Sequence, residues 1–549
     1  MKKIPVLLLI LLMTASCAFG CTEKPTAATT EAVVTEAPTE PAQTEAATTG
    51  APATEAPTEA PTEAPTTEEP ETEPVTFGEF VIEPDETATL AVTNVYGDHM
   101  VVQRDTKIKI WGTSNKDGAE IRGLFMDDEA RATVADGKWE MTFSPKAATA
   151  EPQTITVDDS CGNTVTINDV LVGDVFIVAG QSNAEITVTN YQNIYSKVNF
   201  DQNKPLRLFM QGADGVIAVK KTTALEPSEE VINPKWRWKI ATKAAIFEFS
   251  ALGWCFSEEL LEQIDIPVGV VCVAANGAKI NELMPPEMAK EFKYKTGGNV
   301  APSQYYNALV HPFLRMKFKA MIFFQGESEG FAGANPGPKK YARDLEALFT
   351  EYRTRWGFDF PIYCVQASDY TAEGAKTCSN IGQIRAQQYD MYKSMKEKGV
   401  RLIPSYDLGA DEGYFNYFHS PYKRELAERI LKLALADLYG VGPADEALAP
   451  EIAESTLSAD KTYYTVRFNN VGEGLTTSDG GTEVYGFAIG KVNKLTAVRA
   501  EIVSKDTVKL YLPERAALNG IGYAVESHVN KETANLCNSY GIPALAFYK

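Results

Sequence analysis

Ser182 sits in Gly180-Gln181-Ser182-Asn183, just after the apolar run Val175-Phe176-Ile177-Val178. A serine between small and amide residues where a strand ends can project its hydroxyl beyond the sheet, as a nucleophile must. By itself the tetrapeptide fits an N-cap or a turn equally well, because Gly, Ser and Asn favour both. A second cluster, Gln325-Gly326-Glu327-Ser328, follows another apolar run, and Asn276-Gly277 follows a third. His419 is one of only four histidines in the chain. These parts suit acyl transfer, with Ser182 as nucleophile and His419 as general base. The main-chain N–H groups of Ser182 and Gly277, with the Gln325 amide, would form an oxyanion hole. Glu327 would orient its neighbours by accepting hydrogen bonds, and Asn183 would support the nucleophile. His99, His311 and His528 read as structural or exposed.

The elements needed to bring these residues together are legible. From 171 to 445 strand-like runs alternate with helical patterns. The strand candidates are 175–178, 206–210, 268–274, 320–324, 362–366 and 400–405. The helix candidates are 250–263, 305–315, 341–356, 381–397 and 421–438, the last with Ser420 as N-cap and Pro421 at the first helical position. Such alternation predicts a mostly parallel sheet covered on both faces, with its ligand outside the carboxyl ends of the strands. All three polar clusters follow strand ends, and His419 lies between the last strand and the last helix. Short alternating strands at 77–170 predict an N-terminal β-sandwich, and those at 446–549 a second β module. The fold class expected is therefore α/β, a parallel-sheet domain flanked by two β-sandwich-like modules.

The chain has 549 residues and a net charge of −21. Residues 1–21 carry Lys2-Lys3, the apolar run Ile4–Met13, and then small residues and cysteines, the pattern of a secretory leader. Thr14-Ala15-Ser16 before Cys17 fits a bacterial lipobox better than Ala18-Phe19-Gly20 before Cys21, and both remain open. Either would place the protein outside the cell, lipid-anchored at a bacterial surface; without lipidation it would be secreted. Residues 22–76 repeat Thr-Glu-Ala-Pro and predict a disordered spacer. The spacer carries twelve Glu and one Lys, so it supplies −11 of the total charge and says little about substrate. Nucleic acid is an unlikely partner for so acidic a chain. Cys161, Cys255, Cys272, Cys364, Cys378 and Cys537 show no zinc spacing, so no metal is expected, and Cys272 and Cys364 read as buried thiols.

With these residues in view, the chain from about 90 to 549 resembles the sialate O-acetylesterase family of SGNH-type (GDSL-like) serine esterases. The resemblance rests on Asp98-His99-Met100-Val101-Val102-Gln103-Arg104, Val172–Phe176 leading into Gly180–Asn183, Pro267-Val268-Gly269, Tyr306–Pro312, Phe324–Ser328, Asp407-Leu408-Gly409, His419 with Lys423, and Asn535–Asn538 through Phe547. It implies a flavodoxin-like sheet and hydrolysis, without cofactor or metal, of O-acetyl esters on sialic acids or related sugars. It also implies Ser182 as nucleophile, His419 as base, and Gly277 and Gln325 as oxyanion donors.

The chain departs from the family pattern at several points. Ala275-Asn276-Gly277-Ala278 replaces the frequent Trp-Gly-Gly-Thr, Glu329 stands where Asn is common, and Ser420 replaces a proline. Many such enzymes carry an Asp three residues before the histidine, where this chain has Asn416. The triad acid is then Asp411 or Asp407, with Asp411 preferred for loop reach. Two other readings stay open. One is a carbohydrate-binding lipoprotein that has lost catalysis. The other is an esterase or lipase for other acyl groups, whose acyl pocket would be lined by the aromatic-rich segment Gly413–Phe418.

Overall fold

The computed structural model describes residues 77–549, apart from 196–200, 202, 210–222, 234, 295–299, 371–377, 410–418, 493 and 515–517. The leader, both lipobox cysteines, the spacer, Asp411, Asn416 and the Gly413–Phe418 segment therefore lie outside the described residues.

The central element is β1 (Thr164–Gly180), a 17-residue strand. Six further strands extend the sheet on either side of it: β2 (Leu206–Phe209), β3 (Trp238–Ile240), β4 (Val268–Ala274), β5 (Ala320–Phe324), β6 (Ile362–Val365) and β7 (Val400–Ile403). Their spatial order is β3-β2-β4-β1-β5-β6-β7. All neighbours run parallel except β3, which pairs antiparallel with β2 at the edge. Strand order reverses at β1, which has β4 on one side and β5 on the other. That is the point at which open parallel sheets form a crevice beyond their carboxyl ends.

Both faces of this sheet are covered. Val175, Ile177 and Ala179 of β1 share a core with α3 (Tyr341–Trp356) and α4 (Ile381–Met395). Phe176 and Val178 face the opposite way, into a core with α2 (Ala251–Leu261) and α5 (Lys423–Tyr439). The two-residue period of a strand thus divides one apolar run between two helical layers, and this explains why the run lacks polar alternation. At the start of β1's buried half, the fully buried Asp174 accepts from Gln103 (2.9 Å), Arg104 (3.0 Å) and Tyr439 (2.9 Å).

The boundary expected at 170 falls inside β1. Its first half pairs antiparallel with Thr149–Asp159 and parallel with Val101–Gln103, so N-terminal strands and parallel strands belong to one mixed 11-stranded sheet. The strands Leu90–Val92, Ile108–Ser114 and Lys138–Phe143 form a separate 3-stranded sheet. Beyond residue 450 lie sheets of five, two and four strands.

Two helix expectations need correction. Residues 305–315 form a π-helical turn, Tyr306–Val310, followed by a 3-10 turn, His311–Phe313. Pro312 has no N–H to donate and crowds the preceding turn, so an α-helix cannot run through it. Helix α5 begins at Lys423 rather than Pro421, and Tyr422 occupies the cap position. Ser420 Oγ instead accepts from Tyr422 N–H at 3.2 Å, closing a short turn ahead of the helix. All six described cysteines are unbridged and buried. Among the described residues no helix is long and apolar enough to cross a membrane.

Candidate active site

Gly180 closes β1 with φ of +130°, and an added Cβ would lie 2.0 Å from the Phe324 carbonyl oxygen. Only glycine allows the strand to turn here so close to β5. In register, Gly180 stands opposite Ala274 on β4 and Phe324 on β5, so three chain segments leave the sheet at one level. They are Gln181-Ser182-Asn183, Ala275-Asn276-Gly277 and Gln325-Gly326-Glu327.

Gln181 binds two of these segments together. Its Oε1 accepts from Gln325 Nε2 (3.1 Å), Gly326 N–H (3.4 Å) and Ser328 N–H (3.2 Å). Ser182 then opens the short helix α1 (Ser182–Glu185) and is largely buried. Ser250 Oγ donates to Ala184 O at 2.5 Å and accepts from Gly253 N–H at 3.1 Å, so it caps α2 and anchors α1 together.

The turn bearing Gly277 is held from the β5 side. Ser328 Oγ donates to Gly277 O at 3.0 Å, and Glu329 Oε1 accepts from Ile280 N–H at 2.7 Å. Gly277 itself is exposed with φ of +72°. Among the described residues, the backbone N–H groups of Ser182 and Gly277 donate to no protein acceptor. They lie on segments from neighbouring strands and are available to an incoming oxygen.

Gln325 is placed differently from its expected role. Its Nε2 lies within hydrogen-bond distance of Gln181 Oε1 (3.1 Å), Ala278 O (3.1 Å) and Glu329 Oε2 (2.6 Å). Two N–H bonds cannot serve three internal acceptors and also a substrate oxygen. In this conformation the amide braces the turns instead of facing the crevice. Glu329 is the residue that draws it inward.

His419 is half-buried just before α5. Tyr191 OH donates to His419 O at 3.3 Å, and Tyr195 OH to Pro421 O at 2.9 Å, so residues that follow α1 hold the histidine segment. The Ser182 and His419 segments are also tied by Lys423, whose Nζ donates to Asn183 Oδ1 at 2.7 Å. Burial, reinforced by the Lys423 charge, pushes the His419 imidazole down to about 4. Of the candidate acids, Asp407 is committed elsewhere: Arg429 grips it with both terminal nitrogens, at 2.8 and 2.5 Å.

Sequence reasoning gave no role to Lys423 and, of the carboxyls around the crevice, singled out Glu327 and Glu329 but not Glu185 or Glu282. Burial pushes Glu185 and Glu282 up to about 7 and Glu329 up to about 8, and it also raises Glu327. Spacing was one signal, since Lys423 lies four residues past His419 and Glu185 three past Ser182; for Lys423 its pairing with His419 in the family resemblance was another. Among the described residues no group of three or more His, Cys, Asp or Glu could hold a metal ion.

Residues 172–435 match the family model described as carbohydrate esterase, sialic acid-specific acetylesterase. The sialate O-acetylesterase of Pongo abelii is 25% identical over 305 residues, covering 50% of this chain and 55% of the relative. That of Homo sapiens is 24% identical over 305 residues with the same coverage. The chain thus spans about half the length (55%) of the curated relatives it matches. The crystal structure of a carbohydrate acetylesterase from Xanthomonas citri superposes with a TM-score of 0.70 at 25% identity, covering 84% of this chain and 99% of that one.

Proposed function

We propose that this chain, whose residues 172–435 match the family model of sialic acid-specific acetylesterases, hydrolyses O-acetyl esters on sialic acids or related sugars through an acetyl-serine intermediate. Ser182 Oγ attacks the acetyl carbonyl carbon while His419 takes its proton. The carbonyl oxygen becomes an oxyanion that accepts from the N–H groups of Ser182 and Gly277. Collapse expels the sugar oxygen, which takes the proton back from His419. Water then attacks the acetyl group with His419 again as base, and acetate leaves. Asp411 is the preferred acid to orient the imidazole.

The observation that supports this reading most is the pair of N–H groups without protein acceptors, on segments leaving neighbouring strands, one of them belonging to the serine itself. Preorganised donors of this kind are typically worth about 2.7–4 kcal/mol each in the transition state. The test is acetate release from O-acetylated sialic acid and from acetylated xylan, with the Ser182→Ala variant as control. We expect release to fall by about 10³-fold or more in that variant. Binding of glycan without acetate release would favour the non-catalytic reading, and rates that climb with acyl length would favour a lipase.

The leader and the acidic spacer support a surface-tethered enzyme. Lipid labelling that is lost in Cys17→Ala, or in Cys21→Ala, would identify the anchored residue. Labelling unchanged in both would remove the tether from the proposal.

A further inference from the structure

Lys423 begins α5 one turn beyond His419, and its side chain is wholly buried. A buried ammonium is costly unless closely compensated. Its one hydrogen bond among the described residues goes to Asn183 Oδ1 at 2.7 Å, and its Nζ lies 5.3 Å from the centre of the Phe324 ring. Asn183 carries the link onward, its Nδ2 donating to Glu327 Oε1 at 2.7 Å. The second oxygen, Glu327 Oε2, is buried with no partner among the described residues. A cation and a carboxylate are therefore kept apart by a single amide, although direct contact would compensate both better.

This arrangement has one clear consequence. An amide with a cation at its oxygen and a carboxylate at its nitrogen cannot flip, because either group alone sets its orientation. The residue locked in this way is the one directly after Ser182.

We propose that Lys423 is a positioning residue of the esterase centre: through Asn183 it fixes the turn that carries Ser182. The inference rests on the esterase reading given above. The titratable groups facing Lys423 are Glu327 from the β5 side, Cys255 on α2 and His419 on its own segment. Those facing His419 among the described residues are Lys423 and Tyr191, whose hydroxyl meets the His419 carbonyl.

The experiment compares kcat and KM on a small acetyl ester for purified wild type and Lys423→Met, whose side chain is similar in length but uncharged. In Lys423→Met kcat should fall at least about ten-fold, with KM changing less than about three-fold. A folded Lys423→Met protein with wild-type kcat overturns the inference. Should that variant fail to fold, Asn183→Ala cuts the same link: the inference predicts the same loss in kcat at nearly constant KM, and wild-type kcat there overturns it. Ser182-dependent turnover in wild type keeps these outcomes separate from failure of the esterase reading. If wild type has no such turnover, both fall together.

Discussion

Among the individual residues, the two candidate acids make the sharpest contrast. Asp407 is gripped by Arg429 through both terminal nitrogens, and Arg429 Nη1 also donates to Pro404 O at 2.8 Å. Asp407→Asn should therefore cost stability, by about 1–3 kcal/mol in chemical unfolding, and leave kcat within a few-fold of wild type. Asp411→Asn should leave the unfolding midpoint nearly unchanged and lower kcat by about 10²–10⁴-fold, because the imidazole would lose its orienting acceptor. The reverse pattern would return Asp407 to the triad. Residue types and strand-end positions made Ser182, Gly277 and His419 legible as a set. The direction of the Gln325 amide was not legible, because it depends on Glu329, a residue whose departure from the family pattern was visible but whose reach was not. Lys423 was visible beside His419 in the family resemblance, but its burial was not, because only the packing of α2 and α5 encloses it.

The element most exposed to a single change is α4. An added Cβ at Gly382 would lie 1.8 Å from the Val525 carbonyl oxygen, so the segment that follows the strand Ile521–Tyr523 rests directly on the start of this helix. One turn on, the fully buried Arg385 donates to Ala524 O at 2.9 Å, to Ser368 O at 3.1 Å and to Glu526 O. Gln366 exchanges two hydrogen bonds with Ala546, of 2.8 and 3.0 Å, at the end of β6. Gly382→Ala must push the carbonyl away and should destabilise the protein by about 2–4 kcal/mol in urea unfolding. Limited proteolysis of that variant should cut first within residues 446–549, whereas cleavage matching wild type would show that the contact relaxes at little cost. The sequence predicted β2, β4, β5, β6 and α3 to within a residue, because long apolar runs and a sustained helical period outweigh local detail, but it caught only 175–178 of β1 and missed β3. It misplaced the start of α5, where Ser420-Pro421 reads as a good helix opening. In the structure Tyr195 holds the Pro421 carbonyl, and the helix begins only at Lys423. No local propensity reports a contact made across 226 residues.

For the molecule as a whole, the long strand β1 explains why a boundary at 170 was a natural reading. Its first half alternates because one face is half exposed, and its second half is apolar throughout because helices cover both faces. A change of pattern therefore marks a change of surroundings within one strand, not a break between domains. The same burial sets how stability depends on pH. Glu329 is raised to about 8 and Glu185 and Glu282 to about 7, so between about pH 4.5 and 7 the folded protein holds protons that the unfolded chain releases. Stability must fall as pH rises through that window. His419, lowered to about 4, acts oppositely between pH 4 and 6.5, but it is one group against five, since burial also raises Glu327 and lifts Asp369 to about 6. Lys423, lowered to about 7, adds stability only as pH rises above 7, where it offsets the last of Glu329. Below about pH 4 the exposed, hydrogen-bonded Asp127, Asp460, Asp479 and Asp506, whose carboxyls are held low, lose their contribution. The melting temperature should therefore peak near pH 5, fall by several degrees toward pH 7 and then level off. Glu329→Gln keeps the shape of the side chain and removes its titration, so its melting curve should be flatter than wild type between pH 5 and 8. A wild-type Tm that rises from pH 5 to 7 would mean that the crevice carboxylates are ionised in the folded protein, and that these glutamates bind their neighbours as anions.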